Sequence, residues 1–137
     1  LQWKVQDENG SLYNTPPCFS IYVAVLVLRK LKQMGGIAAI SEINEYKAGL
    51  LYDFIDNSKF YTNNVVKKYR SIMNVPFVTP NAELDDAFLK GAAKEGLMSL
   101  KGHRLVGGMR ASIYNAMPME GVKSLIGYMK KFEKDNA

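Results

Sequence analysis

Cysteine and histidine are almost missing from this chain, which holds only Cys18 and His103 among its 137 residues. One cysteine excludes an internal disulfide, and with it the disulfide frameworks of small secreted domains. One of each also cannot make the Cys/His spacings of a zinc site, so no metal is expected. Long apolar runs are scarce. The longest, Cys18 to Leu28, is interrupted by Ser20 and followed by Arg29-Lys30. It falls short of the roughly 18–20 residues that cross a bilayer, and no secretory leader stands ahead of it. The expectation is a soluble protein of a reducing compartment, the cytoplasm, with no membrane partner.

What is present is ordinary globular material, 47% hydrophobic and 23% charged, in a length that suits one compact domain. The formal charge is +5, from 18 Lys and Arg against 13 Asp and Glu. A surplus of that size suits a polyanion, a small anionic molecule, or nothing in particular. The charges are dispersed apart from Lys67, Lys68 and Arg70, a cluster that reads as a solvated face. Nucleic-acid binding calls for exposed aromatics interleaved with basic residues. Here most aromatics fall at helical core spacings, so no nucleic-acid partner is expected. The chain opens Leu1-Gln2-Trp3-Lys4 without a methionine and reads as the interior of a longer polypeptide.

Residues 1–15 are polar and turn-rich, with Asn9-Gly10 as a turn signal. Thr15-Pro16-Pro17 predicts a helix start, with a hydroxyl able to cap and prolines suited to a first turn. That helix, from about Pro16 to Met34, is almost wholly apolar in its first half and is expected to be buried there. Gly35-Gly36 ends it. A second helix is predicted from about Ile37 to Ile55, with Ile40, Ile43, Lys47, Leu50, Leu51 and Phe54 on one stripe. Asp56-Asn57-Ser58 closes it. Residues 71–78 alternate as a strand with Met73, Val75 and Phe77 on one face, and Pro76 makes it an edge or bulged strand. A third helix spans about Ala82 to Glu95, with Leu84, Phe88, Leu89 and Ala92 inward and Gly96 as its stop. Short strands are predicted near 97–100 and 109–114. The last helix starts at Pro118 and buries Val122, Leu125, Ile126, Met129 and Phe132. The order suggests an α+β fold, a small antiparallel or mixed sheet covered by helices.

Chemistry concentrates in Lys101-Gly102-His103-Arg104-Leu105-Val106-Gly107-Gly108-Met109-Arg110. Guanidinium groups present two-pronged donors that match carboxylate and phosphate oxygens. Histidine adds a donor whose charge responds near neutral pH. Strand alternation puts Met109, Ala111 and Ile113 on one face and Arg110, Ser112 and Tyr114 on the other. The proposal from residue types is a site for a doubly anionic small molecule, held at one end by His103 and Arg104 and at the other by Arg110. A plain surface hairpin remains open. The spacing fits neither a Walker loop nor a dinucleotide fingerprint. In a second stretch, Ser11 to Pro17, Asn14 and Thr15 offer an amide, a hydroxyl and backbone N–H groups at a helix mouth, where positive potential favours phosphate. Simple capping is the competing explanation.

Together these stretches resemble the phosphoserine aminotransferases, class V enzymes of the fold type I pyridoxal-phosphate group. The resemblance is carried by SLYNTPP (11–17), IDNS (55–58), RSIMNVPF (70–77), LKGHRLVGGMRASIYNAMP (100–118) and the final helix, in matching order and spacing. It implies a cytoplasmic homodimer of serine biosynthesis with active sites at the subunit interface. The reaction implied moves an amino group between L-glutamate and 3-phosphohydroxypyruvate, giving 2-oxoglutarate and O-phospho-L-serine; a related phosphorylated hydroxy-threonine is another possible substrate. It also implies that Asn14 and Thr15 reach the pyridoxal 5'-phosphate cofactor, that His103 and Arg104 take the phosphate or distal carboxylate, and that Arg110 takes the α-carboxylate. Residues 1–17 would connect from a large domain, and residues 18–137 would form the small C-terminal domain. The family's Schiff-base lysine segment has no counterpart here, so no catalytic residue is assigned. A chain of this extent alone is expected to be inert. The alternative is a non-catalytic fragment that binds a small anion or a partner chain through the same residues.

Overall fold

The computed structural model describes residues 2–137 and contains five α-helices, a short 3-10 turn and two strands. The chain forms two compact units, Leu1–Ala39 and Ile40–Ala137. In the first, α1 covers Trp3–Glu8 and α2 covers Cys18–Gln33. The turn-rich reading of residues 1–15 missed α1, a six-residue helix with neither an apolar stripe nor a side-chain cap to announce it. Gly10 and Ser11 then take positive φ of 56° and 63°, so the turn signal at Asn9-Gly10 marks where that helix stops.

Two expectations about α2 need correction. Its N-cap is Pro17, with no side-chain cap bond, so Thr15 does not cap it. Nor is its apolar half buried, since none of its residues is; Phe19 is 79% and Leu28 64% exposed. Apolar composition states only that a surface favours cover. The six residues of α1 are too few to supply it.

Helix α3 runs Gly36–Asn57, overlapping the predicted span closely, and from Ile40 onward it belongs to the second unit. Its inward residues are Asn44, Lys47, Ala48, Leu51, Tyr52 and Ile55. The expected stripe was rotated by about one residue, because Ile43 is exposed and Asn44 buried in its place. Buried polar partners, described below, account for that exchange. Strand β1, Asn74–Phe77, pairs antiparallel with β2, Met109–Ser112, in the register Val75↔Ala111 and Phe77↔Met109. Pro76 is accommodated because the outer side of β1 meets only an isolated bridge between Val78 and Thr62. The Pro76 carbonyl accepts from the Asn63 amide at 2.6 Å. No regular strand forms at 97–100. Ser99 takes φ of 61°, which breaks the extended run, and only a bridge between Lys101 and Met109 remains.

Helix α4, Ala82–Lys94, is capped by the Asn81 side chain, which accepts from the Leu84 N–H at 2.9 Å. Helix α5, Met119–Asn136, follows Pro118 as expected. Val122, Leu125 and Met129 from α5, Phe88 and Ala92 from α4, Leu51 and Ile55 from α3, and the inner faces of both strands form one core. Phe88 is its hub. Its ring lies edge-on to Phe77, Tyr128 and Phe132 at 5.6, 4.9 and 5.2 Å, an arrangement favoured by the ring quadrupole.

Candidate functional site

The ten residues before and into β2 form a tight loop. The Gly102 N–H donates to the Gly108 carbonyl at 2.8 Å, and the Arg110 N–H donates to the Leu100 carbonyl at 2.7 Å. Gly102 is required here, since a Cβ would overlap the Gly107 and Gly108 carbonyl oxygens. Gly108 has φ of 62°, and a Cβ on it would come within 2.6 Å of Val78 Cγ1. Between them the His103 carbonyl accepts from the Val106 and Gly107 N–H groups, at 2.9 and 2.8 Å. The loop therefore turns on its own backbone and leaves His103 and Arg104 exposed. His103 Nδ1 accepts from the Leu105 N–H at 3.3 Å. In the neutral ring that places the proton on Nε2, which points a donor outward.

Strand alternation holds as read. Met109, Ala111 and Ile113 are buried, while Arg110 and Ser112 are half-buried on the opposite face. Arg110 Nε is sealed from solvent without a hydrogen-bond partner, and among the described residues no carboxylate pairs with its guanidinium. A buried, unpaired donor on a permanent cation favours an incoming anion. Beside it, the Ser112 and Tyr114 hydroxyls both donate to Asn74 Oδ1 at 3.2 Å, so three polar side chains gather on the same sheet face. One loop thus carries His103 and Arg104 and leads directly into the strand that carries Arg110.

Asn14 and Thr15 belong to the other unit, in the irregular segment between α1 and α2. Both are exposed, and neither side chain makes a hydrogen bond to the described residues. With Pro17 as the cap of α2, the amide and hydroxyl remain available as donors, a set that fits a phosphate.

Sequence reasoning missed two features. The first is Lys47, only 1% exposed, whose Nζ donates to the carbonyls of Tyr114, Met117 and Ile113 at 2.9, 3.0 and 3.4 Å. Burial lowers its pKa. Its place on an otherwise apolar stripe was the available signal. One turn earlier, Asn44 Nδ2 donates to Asn115 Oδ1 at 2.7 Å. The second is the basic cluster at 67–70, which is not simply solvated. Arg70 donates twice to Asp56, 2.8 Å each, and stacks on Tyr52 at 4.7 Å, while Lys67 meets Asp56 at 3.1 Å. The Arg70 guanidinium holds the Asp56 carboxyl down at about 2. Among the described residues no group of His, Cys, Asp and Glu is placed to hold a metal, and no helix is long and apolar enough to cross a membrane.

Known proteins are similar to this chain in sequence and in fold. A phosphoserine aminotransferase from Bacillus cereus (strain ATCC 10987 / NRS 248) is 58% identical over 136 residues, which is 99% of this chain and 38% of that protein. The solved phosphoserine aminotransferase from Bacillus circulans subsp. alkalophilus superimposes with a TM-score of 0.92 at 43% identity, over 98% of this chain and 38% of that one. A pyridoxal-phosphate-bound phosphoserine aminotransferase from Trichomonas vaginalis gives 0.84 at 39% identity, over 93% of this chain and 37% of its own. The chain thus spans about two fifths of the length of the relatives it matches, with the fold of the matching portion of those enzymes. The class-V aminotransferase profile covers residues 1–125, and the chain belongs to the class-V aminotransferase family.

Proposed function

We propose that this chain is the C-terminal part of a phosphoserine aminotransferase. The enzyme moves an amino group between L-glutamate and 3-phosphohydroxypyruvate, with 2-oxoglutarate and O-phospho-L-serine as products, in the cytoplasmic synthesis of serine. The observation that carries this reading is Arg110, a half-buried cation with no paired anion among the described residues, set one loop away from the exposed His103 and Arg104. Both amino-acid substrates carry an α-carboxylate, and Arg110 receives it. They differ at the far end, where one has a phosphate and the other a carboxylate. The Arg104 fork and the His103 Nε2–H accept either, because both groups present oxygen acceptors. The exposed loop tolerates the difference in size between them.

Pyridoxal 5'-phosphate, when bound, supplies the electron sink of the reaction. Asn14 and Thr15 would hold its phosphate across the interface of a homodimer, and their unpaired amide and hydroxyl suit that role. No lysine of this chain is offered as the cofactor's covalent anchor. Lys47 is already engaged by three carbonyls, and the other lysines are exposed. In this reading residues 1–17 connect to the domain that carries the anchor, and 18–137 form the small domain that grips the substrate. The chain's contribution to the rate is orientation, fixing both ends of the substrate so that the bond to be broken is correctly presented.

The test uses the full-length protein loaded with cofactor, supplied with O-phospho-L-serine and 2-oxoglutarate, and measures glutamate formed. Turnover is expected, with kcat/KM falling about 100-fold in Arg110→Ala, the loss of one two-pronged charged contact at ~3 kcal/mol. No glutamate from wild-type protein with cofactor bound refutes the substrate assignment.

A further inference from the structure

We propose that Lys47 is a positioning residue for Arg110, holding the turn after β2 so that the guanidinium stays where a substrate carboxylate meets it. The inference rests on the reading of Arg110 just given. The ammonium has three N–H donors, and all three are spent on carbonyls of one short turn: Ile113, Tyr114 and Met117. The turn closes on itself through the Met117 N–H, which donates to the Tyr114 carbonyl at 2.9 Å. Asn44 grips the Asn115 side chain one turn earlier on the same helix. Two polar residues of α3 are therefore given over entirely to residues 113–117, at sequence separations of 66 to 71.

This arrangement is not what packing alone would select. Among the described residues no carboxylate neutralises Lys47, which sits at 1% exposure among carbonyl dipoles. A methionine of similar shape would fill the same space without desolvating a charge, and buried charges are commonly replaceable by apolar side chains at no cost in stability. What the ammonium adds is direction, because three carbonyls aimed at one point fix the backbone that bears them. Arg110 lies three residues upstream on the same extended segment. Its neighbours Met109, Ala111 and Ile113 are locked into the core, and the Ile113 N–H donates to the Met73 carbonyl at 2.8 Å. Among the described residues Arg110 Nε has no hydrogen-bond partner and the guanidinium makes no ion pair. Its placement is therefore inherited from the strand, and the strand's exit is set by Lys47.

The decisive variant is Lys47→Met in the full-length, cofactor-loaded protein. Two readouts separate positioning from general loosening. The first is kinetic. kcat/KM should fall about tenfold for both glutamate and phosphoserine, which share the carboxylate end, in keeping with the cost of small misplacements. Inhibition by inorganic phosphate, which engages only the His103–Arg104 end, should stay unchanged. The second needs no turnover. Amide exchange at Ile113 and Met117 should quicken about tenfold relative to α4, about 1.4 kcal/mol of local opening. Unchanged exchange at those amides overturns the inference whatever the activity, as does an equal weakening of phosphate inhibition. Should Lys47→Met not accumulate as folded protein, Lys47→Gln keeps a polar side chain there but has only two N–H donors for the three carbonyls. Wild-type carboxylate kinetics together with wild-type exchange in Lys47→Gln then overturns it. A wild-type enzyme inert toward phosphoserine bears on the function reading, and the exchange measurement still decides the role of Lys47.

Discussion

Replacing Asp56 by asparagine tests whether the Arg70 cluster fastens the loop after α3 to that helix. Asp56 accepts two hydrogen bonds of 2.8 Å from Arg70 and meets Lys67 at 3.1 Å. The hydrogen bonds from Arg70 are the main reason its pKa falls from 3.8 to about 2. Taken at face value, that shift is worth ~2.4 kcal/mol. Asp56 is partly open to water, and screening reduces a pair of this kind to about 1 kcal/mol. The sign follows from the direction of the shift. A carboxyl with a depressed folded pKa stabilises above its unfolded pKa and loses that contribution as pH falls through the folded value. The gap between wild type and Asp56→Asn should therefore be constant above about pH 5 and shrink between about pH 4 and 2, with about half remaining at pH 3. Urea unfolding across that range, paired with carboxyl carbon shifts that follow Asp56 directly, reads both quantities. An Asp56 carboxyl that titrates near 4, or a stability gap that does not change with pH, refutes the reasoning.

Two more outcomes follow from the same geometry. Phe88→Ala empties the centre of the aromatic cluster, where Phe88 is fully buried. It should cost about 4 kcal/mol, seen as a lower urea midpoint with an unchanged slope; a loss below about 1 kcal/mol contradicts the core as described. Gly102→Ala forces the loop open against the Gly107 and Gly108 carbonyls and should cost about 2 kcal/mol. The same change should weaken phosphate inhibition in the full-length enzyme, and a variant that matches wild type in both melting and inhibition refutes the tight-loop account.

The local elements were legible because their causes are local. Pro118 announces the start of α5, Gly96 stops α4, and the alternation of Met109, Ala111 and Ile113 faces β2 inward. The loop from Gly102 to Gly108 was legible for the same reason, since glycines mark where backbone approaches backbone. The family resemblance was legible too, because it lies in contiguous motifs such as SLYNTPP (11–17) and LKGHRLVGGMRASIYNAMP (100–118), which are read without any tertiary contact. Four matters depended on the tertiary structure. The exposure of α2 depends on what surrounds the helix, and an apolar composition does not supply that. The failure of the 97–100 strand turned on the single positive φ at Ser99. The pairing of Arg70 with Asp56 and the three carbonyls on Lys47 join residues 14 and 66 to 70 positions apart. Periodicity places a lysine on a helix face, but which carbonyls come to meet it is decided only when the chain folds back on itself.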